Sequence, residues 1–180
     1  MANATQLWLP LGLAALLAGC GGSNTVAPAV SSGSVPARPD LAQFLRVDAA
    51  HRSVSLTLVA GDGDANNGFN FDGYGRGELI VSVPVGWRTT VHCRVAGSLR
   101  NSCAVVQGAL SATLAFPGAG TPDPVTGLGA GRSATFSFTP DRAGSFRLVS
   151  LVPGHAAARM WDVLEVTRGG RPSISARPGA

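Results

Sequence analysis

The sequence predicts an all-β protein built as an antiparallel β-sandwich, and three observations support this prediction. Charged residues make up only 13% of the chain, which contains 24 glycines and 12 prolines, a composition that favours turns over helices. Apolar and polar residues alternate over short segments, as they do in a strand with one buried face. These segments recur about every 8–12 residues and are separated by Gly/Pro turns, which is typical of a sandwich.

The first predicted strand begins at Ser53, where apolar residues alternate with Ser and Thr. The same reasoning predicts further strands at 78–83, 89–95, 101–105, 133–138, 145–151 and 161–166. One helical turn is predicted at 40–46, with Asp40 as its N-cap. Residues 168–180 are rich in Gly, Pro, Arg and Ser and are predicted to form a disordered tail.

The N-terminal segment predicts export from the cytoplasm. Residues 7–17 are apolar, and the sequence Leu-Ala-Gly-Cys occupies 17–20. This run is too short to span a bilayer but long enough for the core of a signal peptide. Its end resembles the lipobox of bacterial lipoproteins, which implies a signal peptide at 1–19, a lipid anchor on Cys20 and a flexible tether at 20–40. The protein is then expected to be extracytoplasmic and membrane-anchored, in the periplasm or at the cell surface; an ordinary secretory signal is the alternative.

The charge pattern argues against a nucleic-acid partner. The formal net charge is +4, and every basic side chain other than histidine is an arginine, since the sequence contains no lysine. The arginines are scattered along the chain without interleaved aromatic residues. A nucleic-acid-binding surface usually concentrates both, so no nucleic acid is expected among the partners.

Two cysteines are left once Cys20 is assigned to the lipid anchor. In an oxidising compartment an even number of cysteines favours a disulfide, here between Cys93 and Cys103 across a predicted hairpin. Two buried free thiols are the alternative. A third hypothesis is that reduced Cys103 helps to bind Cu(I).

The segment that follows the strand at 145–151 contains a possible metal-binding loop. Ser150, His155 and Met160 are spaced five residues apart around a Pro-Gly turn. Imidazole and thioether are ligands that suit a soft metal such as copper, for which a thiolate is the usual third partner. The third residue here is a serine.

Four stretches together resemble the sulfocyanin branch of the cupredoxins, which are small blue-copper electron carriers. They are G-F-N-F-D-G-Y at 68–74, V-P-V-G-W at 83–87, F-P-G-A-G-T-P at 116–122 and V-P-G-H-A-A-A-R-M-W-D at 152–162. The resemblance covers approximately residues 41–167, which we take as the folded domain. It implies a Greek-key β-sandwich of the cupredoxin type with a metal site at one end.

The resemblance also implies which residues occupy the copper-ligand positions. The second His and the Met of the family fall on His155 and Met160, whereas the first His and the Cys fall on Asn101 and Ser150. A hydroxyl stays protonated near neutral pH, and an amide oxygen suits hard ions better than Cu(I). The family's copper site is therefore expected to be degenerate, with no cofactor bound, or copper if any.

Three classes of function follow from these expectations. The favoured one is a non-redox binding or structural module, in which His155 and Met160 serve as ordinary packing residues. The alternative is an electron-transfer or copper-handling protein that uses His155, Met160 and Cys103 and has redox or other extracytoplasmic proteins as partners. An enzyme has the least support, because no acid orients a Ser150–His155 pair and Asp162 is expected to point elsewhere.

Overall fold

Two β-sheets pack against a shared apolar core in the computed structural model, which describes residues 39–109 and 111–177. The first sheet has the strand order β1-β2-β4-β6 and the second β5-β7-β8-β3-β9. The strands are β1 (Leu45–Asp48), β2 (Ser53–Ala60), β3 (Leu79–Pro84), β4 (Arg88–Val95), β5 (Ala104–Val106), β6 (Ser133–Phe138), β7 (Gly144–Val149), β8 (Trp161–Thr167) and β9 (Ser173–Ala176). The predicted sandwich is confirmed. The predicted signal peptide, Cys20 and most of the tether lie outside the described residues.

Alternation places the apolar side chains of both sheets in one core. Val54, Leu56 and Leu58 of β2 are buried, and so is every second residue of β4 from Thr89 to Val95. On the opposing sheet, the apolar residues of β3 at 79, 81 and 83 have no solvent exposure. Burial of this kind is the main favourable contribution to folding, at roughly 25 cal/mol per Å² of apolar surface.

The strand pairing corrects the expectation of a purely antiparallel sandwich. β2 pairs with β4, and β3 with β8, in parallel. Both pairs join strands that are neighbours in their sheet but not consecutive in the chain; β3 of the second sheet, for example, lies between β2 and β4 in the chain. A chain that crosses to the other sheet and returns can re-enter beside its earlier strand in the same direction.

The N-terminal part of the domain begins with a shorter helical turn than predicted. A 3-10 turn covers Leu41–Gln43, and the Asp40 carboxylate accepts a hydrogen bond from Ala42 N at 3.0 Å, as an N-cap does. The chain then extends into β1, whose side chains are mostly exposed. Apolar and polar residues alternate in β1, but over four residues only, which is too short a run to indicate a strand. Within residues 39–109 and 111–177, no helix has the length and apolarity required to cross a bilayer.

Ser173–Ala176 form β9, which corrects the predicted disorder for residues 168–177; the last three residues of the predicted tail at 168–180 lie outside the described residues. β9 pairs antiparallel with β3, and Arg177 N donates to Glu78 O at 2.8 Å. Ile174 packs against the apolar core. The edge of β3 offers unpaired backbone groups, so a short segment with a single apolar residue can add a strand there.

A disulfide joins the two sheets near one end of the sandwich. Cys93 of β4 and Cys103, which directly precedes β5, are linked with a Cα–Cα distance of 6.0 Å. Both residues are fully buried in the core. The bond therefore closes a covalent loop across the sandwich and occupies the sulfur of Cys103.

We expect the double substitution Cys93→Ala and Cys103→Ala to lower the free energy of unfolding by about 2–3 kcal/mol, because the unfolded chain loses the loop constraint. Urea titration of the purified protein measures the change. Cys20→Ser is the matched control and is expected to leave the midpoint unchanged. Two alkylatable thiols at 93 and 103 in the exported, unreduced protein would contradict the disulfide.

Candidate functional site

The loops at one end of the sandwich bring the four predicted ligand positions into one hydrogen-bonded region. We call this the site end; it comprises residues 61–68, 96–102, 127–128 and 150–160. The end of β7, the start of β8 and the segment before β5 all meet there. The segment predicted as a strand at 101–105 forms only β5, so Asn101 precedes the strand and lies in an isolated bridge with Leu128.

Two serine hydroxyls accept hydrogen bonds from backbone amides across this end. Ser150 follows β7 directly, has no solvent exposure, and its Oγ accepts a hydrogen bond from Ser102 N at 3.1 Å. In return, Ser102 Oγ accepts from Leu151 N at 2.9 Å. The Ser150 hydroxyl is thus held in a fixed position by the backbone amide next to Asn101.

Backbone hydrogen bonds fold the 151–160 loop back onto Ser150. Met160 N donates to His155 O at 2.9 Å, and Ser150 N donates to Met160 O at 3.4 Å. The left-handed backbone of Gly154, with φ of 89°, makes the turn into the loop. Ser150, His155 and Met160 are therefore connected through consecutive backbone contacts, and the Met160 side chain is fully buried.

Asn101 is fixed by its backbone but keeps a free acceptor. Its N–H and C=O both bond Leu128, at 2.9 and 2.7 Å, and its Nδ2 donates to Leu99 O at 3.3 Å. The Oδ1 atom is buried and has no hydrogen-bond partner. A buried acceptor without a donor is costly, so this oxygen is available to a ligand.

His155 is buried, and its ring packs edge-on against Phe69, with a centroid distance of 5.1 Å. Its Nδ1 atom is buried and has no hydrogen-bond partner. Loss of solvent lowers the pKa of His155 below its ordinary value of 6.5, so the imidazole is neutral at pH 7. A neutral imidazole with an unpartnered nitrogen is the form that can coordinate a metal.

The donor atoms at the site end do not fit a blue-copper centre. His155 Nδ1 and the buried Met160 thioether are suitable ligands, but the other two positions supply only an amide and a hydroxyl oxygen. Cys103 offers no thiolate, because its sulfur is bonded to Cys93. Within the described ranges, no cluster of three His, Cys, Asp or Glu side chains could hold a metal ion.

The arrangement also lacks the pairing needed for a serine nucleophile. The Ser150 hydroxyl is bonded to Ser102 N, and His155 Nδ1 has no partner, so the two side chains do not form a nucleophile–base pair. Asp162 bonds Leu79 N at 3.0 Å. His51 and His92, the other histidines, are exposed.

Two buried carboxyl groups were missed by sequence reasoning. Asp72 Oδ1 accepts a hydrogen bond from Val59 N at 2.8 Å, and the Oδ2 atoms of both Asp72 and Asp162 are buried without a partner. Burial raises the pKa of Asp72 to about 7 and that of Asp162 to about 8. Aspartate is normally exposed, and nothing in the flanking sequence marks either residue as buried.

Comparison with known proteins identifies relatives over most of this domain. A family model described as "Sulfocyanin (SoxE) domain" matches residues 41–170. The chain is 30% identical over 127 residues to a protein named Sulfocyanin from Sulfolobus acidocaldarius, and the match covers 64% of each chain. The chain therefore spans just under two thirds of that relative's length.

Solved structures of copper proteins are also similar to this chain. Auracyanin A from Chloroflexus aurantiacus, described as a "blue" copper protein, is 19% identical, with a TM-score of 0.46 over 64% of this chain and 99% of its own. Rusticyanin from Thiobacillus ferrooxidans is 17% identical, with a TM-score of 0.44 over 69% of this chain and 86% of its own.

Proposed function

The chain belongs to the sulfocyanin family of cupredoxins, and from this we propose that it is a cupredoxin module with a degenerate copper site that acts as a non-redox binding or structural protein. Members of a blue-copper family require a thiolate for colour and for rapid electron transfer. Without a thiolate, the module would not transfer electrons; its rigid sandwich would present the loops to a partner outside the cytoplasm.

The observation that carries this proposal is the Ser150 hydroxyl. Ser150 occupies the position that the resemblance assigns to the cysteine ligand, and its oxygen is already engaged by Ser102 N. A hydroxyl at neutral pH is a weak donor to copper, and no free thiol replaces it among the described residues. Asn101 stands at the position of the family's first histidine, so a second strong ligand is also missing.

We further propose that the protein is anchored to a membrane through Cys20 and lies outside the cytoplasm. The support is the Leu-Ala-Gly-Cys sequence after the apolar run at 7–17. The protein is expected in the membrane fraction, and Cys20→Ser is expected to abolish labelling by a tagged fatty acid. Equal labelling of the wild-type and Cys20→Ser proteins would contradict the anchor.

The copper content of the natively exported protein tests the central proposal. We expect less than stoichiometric copper by elemental analysis and no intense visible band after addition of Cu(II), because the thiolate-to-copper transition requires a cysteine ligand. A cupredoxin with an intact site, treated in parallel, is the positive control. Stoichiometric copper with a strong blue band in the unaltered protein would overturn the proposal.

A copper-handling protein is the second candidate, and the unpartnered Nδ1 of His155 favours it. Together with the Met160 thioether, this nitrogen could hold Cu(I) without colour. In that case a competition titration with a Cu(I) chelator gives measurable affinity, which His155→Ala removes. A Cys93→Ala, Cys103→Ala variant with unchanged affinity would exclude both sulfurs of the disulfide from the site.

We propose no catalytic activity for this chain. Support comes from the absence of a hydrogen bond between Ser150 and His155 and from the engagement of the Ser150 oxygen by a backbone amide.

A further inference from the structure

The end of the sandwich opposite the candidate site has more arginines than acidic residues. We call it the distal end; it comprises residues 46–53, 84–88, 138–145 and 165–173. Its arginines are Arg46, Arg52, Arg88, Arg142, Arg168 and Arg171, and its acidic residues are Asp48, Asp141 and Glu165. The remaining arginines and acidic residues of the described chain are equal in number, seven of each.

Turns between strands of both sheets bring these arginines to one end. Arg88 N donates to Arg52 O at 3.0 Å, which places the β1–β2 turn beside the start of β4. Backbone amides of the 84–88 turn donate to Thr167 O, next to Arg168, and to Pro140 O, next to the turn that carries Arg142. Both distances are 2.8 Å. The charge is therefore concentrated in space, although it is scattered in the sequence.

Apolar side chains lie among these arginines. Val47 is 46% exposed, and it lines a cavity of about 270 Å³ together with Trp87, Arg171 and Pro172. Arginine, tryptophan and an exposed aliphatic side chain on one surface are typical of proteins that bind the headgroup region of anionic membranes. Arginine supplies attraction to the phosphates, and the indole ring suits the interface between water and hydrocarbon.

We propose that the distal end docks on an anionic phospholipid surface, so that the candidate site faces away from the bilayer. The inference builds on the proposed anchor at Cys20. About 20 residues separate Cys20 from the described domain, a length that cannot extend beyond about 70 Å. An anchored domain therefore stays close to the bilayer, where weak electrostatic attraction is enough to orient it.

Vesicle binding of the full chain with Cys20→Ser tests the docking surface without any contribution from a lipid anchor. The partition coefficient is measured by co-sedimentation with vesicles of phosphatidylcholine alone and of phosphatidylcholine mixed with phosphatidylglycerol. Because every variant carries the same N-terminal segment, the difference between the two vesicle types isolates the charge-dependent part. We expect tighter binding to the anionic vesicles, with a gain that disappears at high salt.

Arg88 and Arg94 provide a matched pair of variants. Both side chains are exposed on the outward face of β4, and they are six residues apart, about 20 Å along the strand. Arg88→Glu at the distal end is expected to reduce the anion-dependent binding by about 25-fold, and Arg94→Glu near the site end to have little effect. Circular dichroism and urea midpoints verify that both variants fold.

Two results would overturn the proposal. Equal losses in the Arg88→Glu and Arg94→Glu variants would show a non-specific effect of total charge. Equal binding of the unaltered surface to neutral and anionic vesicles would exclude charge-dependent docking on anionic lipid and leave an acidic protein as the ligand of the distal end. Neither result depends on the copper content of the site or on lipidation of Cys20.

Discussion

The double variant Ser150→Cys, Asn101→His is expected to bind Cu(II) and turn blue. Ser102 N, which now donates to the Ser150 hydroxyl, is in place to donate to a cysteine sulfur. The buried nitrogen of His155 and the thioether of Met160 would supply the other ligands. A cavity of about 380 Å³ beside Asn101, lined in part by Gly61 and Gly97, provides room for the larger imidazole.

The measurement is a Cu(II) titration followed by visible absorption and electron paramagnetic resonance. We expect the band to rise from none in the unaltered protein to saturation at one copper per chain in the variant. Ser150→Ala combined with Asn101→His is the matched control, since it restores the histidine without the thiolate and should stay colourless. A folded, colourless Ser150→Cys, Asn101→His variant would show that the ligand positions are assigned incorrectly.

The free energy of unfolding is expected to fall as the pH rises from about 4 to about 8. The pKa values of Asp72 and Asp162 are raised by burial from 3.8 to about 7 and about 8, so over this window the folded protein binds more protons than the unfolded chain. Because proton binding is linked to folding, the free energy of unfolding is greatest at the acidic end of this pH range. It decreases as the two carboxyl groups of the folded protein lose their protons. At about 1.4 kcal/mol per unit of pKa, the two shifts together give a decrease on the order of 10 kcal/mol.

Urea unfolding at several pH values measures this slope. Asp72→Asn with Asp162→Asn keeps the acceptors for Val59 N and Leu79 N but cannot ionise, so it is expected to flatten the profile. Asp64→Asn, at an exposed position, is the control and should leave the slope unchanged. Stability that rises over the same pH range in the unaltered protein would contradict the buried, protonated carboxyl groups.

The strands that contribute to the core could be predicted from the sequence because burial imposes alternation. β6 has the predicted bounds, and β2 begins at the predicted residue. β1 and β9 were not predicted, since their side chains are mostly exposed and each strand packs only one apolar residue, Leu45 or Ile174, against the core. The parallel pairing of β2 with β4 depends on how the chain crosses between the sheets, which local patterns do not report.

The candidate site was located through family resemblance and could not have been derived from spacing alone. Ser150, His155 and Met160 lie on one loop, but Asn101 joins them only through the long-range bonds of Ser102 with residues 150 and 151. Whether the four positions act as the resemblance implies stays a prediction. The free Nδ1 of His155 could not be predicted, because the hydrogen bonds of this side chain depend on loop geometry.

The ninth strand has a practical consequence for work with this protein. The family match ends at residue 170, whereas β9 spans Ser173–Ala176 and covers the outer side of β3. A recombinant chain trimmed at the family boundary would leave the β3 backbone bare and uncover the apolar surface beneath Ile174. An unpaired strand edge promotes pairing with strands of other molecules and therefore aggregation. Low solubility of a trimmed chain would then result from the truncation and would not be a property of the native protein.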